Sequence, residues 1–132
     1  MTQVLIVGVG MTPFARHPEL TAKQLVEWAV RDALADAGCE PAQVQSAFYG
    51  NCAQGLLDGQ HLVRGQMALL PLALQGIPII NVENACATAS TALHMAFRYL
   101  RSGACDIALA VGVDKLFTAE RERRFAIFAA AW

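Results

Sequence analysis

The chain has 132 residues, enough for one domain with a core of its own, and 55% of them are hydrophobic while only 16% are charged. So apolar a balance implies faces meant for a partner or for more chain. With 10 Lys and Arg against 11 Asp and Glu, the formal charge of -1 excludes the electrostatic pull of a nucleic-acid binder or a polybasic membrane binder.

In chain order, Gln3 to Val9 is a continuous apolar run of strand length, followed by a turn-rich stretch through Pro13 and Pro18. Thr21 opens a helix, with Gln24 three residues on completing a capping box. Leu25, Trp28, Ala29, Ala33 and Ala37 recur at three and four residues as its apolar stripe, Glu27 and Arg31 form an exposed pair, and Gly38 ends it. Ser46 to Gly50 reads as a short second strand. A polar, glycine-containing loop from Asn51 to Gly59 leads to an apolar helix near Leu62 to Leu74, stopped by Gly76 and Pro78. The third strand is Ile79 to Val82, the third helix Cys86 to Arg101 with Gly103 beyond it, and the fourth strand Ile107 to Gly112. That third helix is apolar nearly all round, through Ala85, Ala89, Ala92, Leu93, Ala96, Phe97 and Leu100, which predicts a helix buried between layers and starting at Cys86. Glu120 to Arg124 reads as a solvated helix face, and Phe125 to Trp132 is an apolar close.

Strands alternating with helices predict an α/β fold, a mostly parallel sheet with helices on both faces. Four cysteines without a Cys-x-x-Cys pair argue against a secreted disulfide scaffold and against a zinc site. No apolar run reaches transmembrane length without charge, Gly or Pro, and the N-terminus reads as strand rather than targeting helix. The expectation is a cytoplasmic chain with reduced thiols and no bound metal.

Cys86 carries the chemical signal. The apolar strand Ile79 to Val82 ends, and Glu83-Asn84-Ala85 hands the cysteine to a helix of small residues. Ligands gather at the carboxyl ends of parallel strands, and the free N-H groups of a helix N-terminus favour the thiolate, the form in which cysteine reacts. The arrangement makes Cys86 a candidate nucleophile for covalent catalysis. The competing reading is a small buried apolar side chain, the role assigned to Cys39, Cys52 and Cys105. Among possible helpers, His94 lies eight helical residues from Cys86, roughly 12 Å along the axis and too far for a hydrogen-bonded dyad. His61 enters the second helix near another strand end, Cys52 follows the second strand, and Asn84 shapes the turn before the nucleophile.

The segment from Val82 to Leu93, Val-Glu-Asn-Ala-Cys-Ala-Thr-Ala-Ser-Thr-Ala-Leu, resembles the nucleophile segment of thiolases. The run from Leu100 to Leu116, with its Gly112-Val113-Asp114-Lys115 turn, resembles the helix end, strand and turn that follow it in that family. Val4 to Phe14 resembles the first strand of the lipid-transfer-type branch of thiolases, so the likeness runs along essentially the whole chain. It implies that residues 1–132 are a thiolase-like N-terminal domain, with the C-terminal half and loop domain outside them. It further implies that Cys86 accepts an acyl group, that coenzyme A thioesters are substrates, and that no cofactor is permanently bound. In an intact enzyme the reaction would be Claisen condensation or thiolytic cleavage of a 3-oxoacyl-coenzyme A in lipid metabolism. The resemblance also implies a dimer assembled around the strand before the nucleophile and, in this branch, a small zinc-ribbon and OB-fold partner protein. The histidine and second cysteine that thiolases place in their C-terminal half have no matching motif here. Where the family carries Gly soon after the nucleophile, this chain has Ala87, Thr88, Ala89 and Ser90, and the Ala89 methyl narrows the room for an acyl group.

Three other readings compete. β-Ketoacyl synthase-type condensing enzymes also start a buried helix at a cysteine, and a truncated thiolase-like chain could serve as a non-catalytic acyl-lipid carrier or assembly subunit. Gly8-Val9-Gly10 is similar to part of a dinucleotide fingerprint, but Pro13 stands where its third Gly belongs and no helix starts until Thr21, which argues against a nicotinamide enzyme.

Overall fold

The computed structural model describes residues 3–130. In chain order its elements are α1 (Ala22–Ala37), β1 (Ser46–Gly50), α2 (Gln54–Asp58), α3 (Arg64–Leu69), β2 (Ile79–Val82), α4 (Thr88–Arg101), β3 (Ala108–Gly112) and α5 (Arg121–Ala129). The strands form one parallel sheet in the order β2-β1-β3, with Gly50 of β1 level with Val82 on one side and Gly112 on the other. Parallel neighbours need crossovers, and here helices supply them.

Side chains alternate across a strand, so β1 feeds two cores at once. Ala47 and Tyr49 join Val26, Val30, Ala68, Leu69 and Leu74 beneath α1 and α3. Phe48 points the other way, against Ala92 and Ala96 of α4, and stacks edge-on to Tyr99 at 5.5 Å. The α/β class with helices on both faces is thus as the sequence predicts. Tyr49, Phe48 and Leu69 are the largest fully buried side chains, each contributing about 1.5–3 kcal/mol of burial.

Local signals hold where the sequence is most explicit. Thr21 accepts from the Gln24 N-H at 3.2 Å while Gln24 Oε1 accepts from the Thr21 N-H at 2.8 Å, and Gly38 closes α1 in the left-handed region at φ 61. The Glu27 to Arg31 pair forms at 2.8 Å. The stripe of α1 divides in two. Leu25, Val26 and Val30 are buried, whereas Ala29, Ala33 and Ala37 leave a shallow track for the N-terminal segment and Trp28 is exposed.

Four expectations need correction. Gln3 to Val9 is not a strand: it has no regular secondary structure and no ladder partner, and Leu5, Ile6, Val7 and Val9 are 64–74% exposed. The run pairs with neither open edge of the sheet, at β2 or at β3, and lies instead along α1, where a Cβ on Gly8 would strike the Ala33 carbonyl oxygen and sit 2.6 Å from the Ala37 Cβ. A hollow of about 1170 Å³ is bounded by this run, by Leu93 and Phe97 of α4, and by Leu109 and Val111 of β3. The second helix is shorter than expected, α3 giving way to a 3-10 turn at Leu70–Leu72 because Pro71 cannot continue the α-helical ladder. The loop before it folds its middle into α2. The third helix is not buried between layers and does not start at Cys86: a 3-10 turn at Ala85–Ala87 precedes α4. Only Thr88, Ala92 and Ala96 of α4 are buried, on the sheet, while Leu93, Met95 and Phe97 are 37–51% exposed, since the described residues place just one layer against it.

Candidate active site

Cys86 occupies the middle of the 3-10 turn between β2 and α4 and is exposed. The turn is pinned from both ends. Glu83 accepts the Ala85 N-H at 2.7 Å, the Asn84 N-H donates to Thr88 Oγ1 at 2.8 Å, and Asn84 Nδ2 donates to Thr91 Oγ1 at 2.9 Å. Thr88 donates in turn to the Ala85 carbonyl at 2.7 Å. Ala85 is held at φ 45, a left-handed conformation that costs a non-glycine residue about 1–2 kcal/mol and turns the chain so that Cys86 faces outward.

Two glycines let α4 settle on the strand ends. A Cβ on Gly50 would lie 3.0 Å from Thr88 Cγ2, and one on Gly112 would lie 3.1 Å from the Ala89 Cβ. Ala89 therefore packs on the end of β3.

Beside this turn a second set of loops is gathered by one carboxylate. Asp114 Oδ1 accepts from the Ala53 N-H at 2.8 Å, the Cys52 N-H at 3.3 Å and Asn51 Nδ2 at 3.0 Å, and its Oδ2 accepts from the Cys52 thiol at 3.2 Å. Asn51 Oδ1 accepts the Gln54 N-H and an Arg64 N-H, and the buried Tyr49 hydroxyl donates to Gln54 Oε1 at 2.8 Å. Burial, then the Asp114 hydrogen bond and charge, with smaller contributions from Glu83 and Cys86, push the Cys52 thiol up to about 11. Burial likewise raises Tyr49 well above the usual phenol range. Cys52 is therefore a thiol at neutral pH.

Of the residues singled out from sequence, Cys86, Cys52 and Asn84 meet at the carboxyl end of the sheet. His61 covers Gly55 and lines a cavity of about 220 Å³ with Tyr49, Asn51, Val82 and Glu83. His94 borders the large hollow instead, whose lining does not include Cys86. Asn51 and Asp114 are organisers that sequence reasoning passed over; the signal was the Gly-hydrophobic-acid turn after β3, read as a motif and not as an acceptor for the loop after β1. Among the described residues no three His, Cys, Asp or Glu side chains form a metal-binding group.

The chain is a parallel α/β layer with an exposed cysteine on a pinned turn at the carboxyl end of its sheet, the end at which open α/β folds bind their ligands. Residues 4–130 match the family described as "Thiolase, N-terminal domain", and the chain belongs to the thiolase family. It is 40% identical over 116 residues to sterol carrier protein 2 of Gallus gallus, covering 86% of this chain and 20% of that protein. It is 39% identical over 114 residues to benzoylsuccinyl-CoA thiolase subunit BbsB of Thauera aromatica, covering 85% of this chain and 28% of that one. Among solved structures, acetyl-CoA acetyltransferase from Syntrophomonas wolfei superposes with a TM-score of 0.68 at 22% identity, over 79% of this chain and 27% of that one, a likeness of fold. The chain thus spans between a fifth and three tenths of the length of these proteins.

Proposed function

We propose that Cys86 is the acyl acceptor of a thiolase-type acyltransferase. Its thiolate attacks the carbonyl carbon of an acyl-coenzyme A, the bond to the coenzyme A sulfur breaks, and the acyl group remains on Cys86 as a thioester. In a whole enzyme of this family the carbanion of a second acyl-coenzyme A would then form a carbon-carbon bond; run backwards, coenzyme A would cleave a 3-oxoacyl-coenzyme A. The observation that carries this reading is the exposed Cys86 on its pinned turn in a chain of the thiolase family. A fixed turn suits a nucleophile that must meet its carbonyl at near-attack distance.

The chemistry assigned to the rest of the protein comes from a C-terminal half and loop domain, on the same chain or on another. The name of the Thauera relative, a thiolase subunit, supports working with a second chain, and the small zinc-ribbon and OB-fold protein remains the candidate. β2 has one hydrogen-bonding edge unpaired among the described strands, which suits assembly of a dimer at that strand. The name of the Gallus relative, a sterol carrier protein, supports a lipid-related role. No described helix is long and apolar enough to cross a membrane, and we place the reaction in the cytoplasm.

Coenzyme A release tests the reading. On mixing with acetyl-coenzyme A or a longer acyl-coenzyme A, the chain is expected to liberate up to one equivalent of free coenzyme A, and Cys86→Ser none, with unchanged circular dichroism. Equal release by Cys86→Ser would remove Cys86 from the chemistry; no release from the folded parent chain would favour the carrier or assembly reading.

A further inference from the structure

The four thiols divide between the two ends of the sheet. Cys105 exchanges a hydrogen bond with Ser46, the first residue of β1, and Cys39 lies ahead of the Pro41–Gln43 turn that leads into the same strand, so both sit at the amino end. Cys52 and Cys86 sit at the carboxyl end, on the turns that leave two hydrogen-bonded neighbours, β1 and β2. Those turns touch. The Asn51 N-H donates to the Val82 carbonyl at 3.2 Å, and the Gly50 backbone lies against Thr88 so closely that a Cβ would come within 3.0 Å of its methyl. Each thiol stands two residues from a partner in that contact, Cys52 after Gly50 and Cys86 before Thr88.

We infer that Cys52 and Cys86 are a resolving pair: hydrogen peroxide joins them in an intramolecular disulfide that shields Cys86 from irreversible oxidation. The exposed Cys86 thiolate attacks a peroxide oxygen, the O-O bond breaks, hydroxide leaves, and Cys86 becomes a sulfenic acid. The Cys52 sulfur then attacks the Cys86 sulfur, the S-O bond breaks, and the hydroxide departs as water with the proton that the Cys52 thiol gives up. In sum two thiols lose two electrons and two protons, and one peroxide becomes two waters. A dithiol reductant reverses the step. The roles follow from the surroundings: Cys86 is exposed and reacts first, whereas Cys52, protonated and half-buried beside its carboxylate, resists peroxide and waits for a sulfenic acid. That the disulfide suspends acyl transfer rests on the acyl-acceptor reading above; that it forms does not.

The test treats the chain with a small excess of hydrogen peroxide and maps peptides without reduction. The expected result is one cross-linked peptide joining Cys52 to Cys86, with Cys39 and Cys105 still alkylatable, and its loss on adding dithiothreitol. In Cys52→Ser the cross-link is expected to vanish and Cys86 to proceed to sulfinic and sulfonic acid; Cys52→Ala serves where the serine variant does not fold. Asp114→Asn, which removes the carboxylate that holds the proton on Cys52, is expected to form the same disulfide faster. Cys86 reaching sulfinic acid as fast in the parent chain as in Cys52→Ser would overturn the inference, as would pairing with Cys39 or Cys105 or cross-links only between chains. Coenzyme A release from the reduced chain reads the acyl-acceptor role separately, so a disulfide without acylation sinks that role alone, and acylation without a disulfide sinks this one.

Discussion

The loop from Asn51 to Ala53 and the run from Gln3 to Val9 make opposite use of their backbones. In the loop three successive N-H groups find acceptors, the Val82 carbonyl for Asn51 and the Asp114 carboxylate for Cys52 and Ala53. In the run the Val9 N-H donates to Asp36 Oδ2 at 2.9 Å, no ladder forms among the described residues, and Leu5, Ile6, Val7 and Val9 stay exposed. The polar segment is held by three successive backbone donors with partners; the apolar one is held on α1 by close backbone approach at Gly8 and Gly10 and by the Asp36 acceptor for Val9. What positions the site is therefore hydrogen bonding between loops, on top of a core that only has to hold β1 in place.

The largest effect that sharpens this comparison is expected from Leu69→Ala, which empties a fully buried position under β1 and should cost about 2–5 kcal/mol in chemical denaturation, whereas Leu5→Ala in the exposed run should stay within about 0.5 kcal/mol. Equal costs would mean that the run packs as a core element and would end the contrast. Next comes Asp114→Asn, which weakens charge-assisted bonds to two backbone amides and a thiol and is expected to destabilise by about 1.5–3 kcal/mol. A loss near zero would show that the loop is held by something else. Thr21→Ala, which removes the cap of α1 and leaves both regions untouched, is expected to cost about 1 kcal/mol.

The smallest effect is one of pH. Cys52 moves from 9.0 to about 11 in the fold, so the native state keeps a proton that the unfolded chain gives up first. Its contribution to stability is full below pH 9 and is lost as the pH climbs toward 11. Tyr49 acts in the same sense at higher pH, so the difference between the parent chain and Cys52→Ser isolates the thiol. The variant's stability should fall less steeply over that range, and parallel curves would show that Cys52 titrates alike folded and unfolded.

Most of the layer order was legible because local chemistry and tertiary need agree there. The Thr21 and Gln24 box, Gly38 and the strands at Ser46 and Ile79 each satisfy both. The run at Gln3 was misread because a strand is defined by its neighbour, and nothing in its residues reveals that it lies along α1 and pairs with neither open edge of the sheet, at β2 or at β3. The burial of α4 was overcalled because Leu93, Met95 and Phe97 extend the apolar stripe onto the exposed side beside Ser90, His94 and Arg98; an apolar side chain does not tell whether a layer covers it. Around the site, Cys86 could be read from its junction, but the partnership of Asn51 and Cys52 with Asp114 spans more than sixty residues and emerges only when β1 and β3 pair.

The most direct measurement is intact-mass spectrometry of the reduced chain after incubation with acetyl-coenzyme A and with a longer acyl-coenzyme A, followed by peptide mapping. The account predicts a single acyl adduct, on Cys86, with Cys39, Cys52 and Cys105 unmodified. An adduct on Cys52 instead, or one spread over all four thiols, would contradict it.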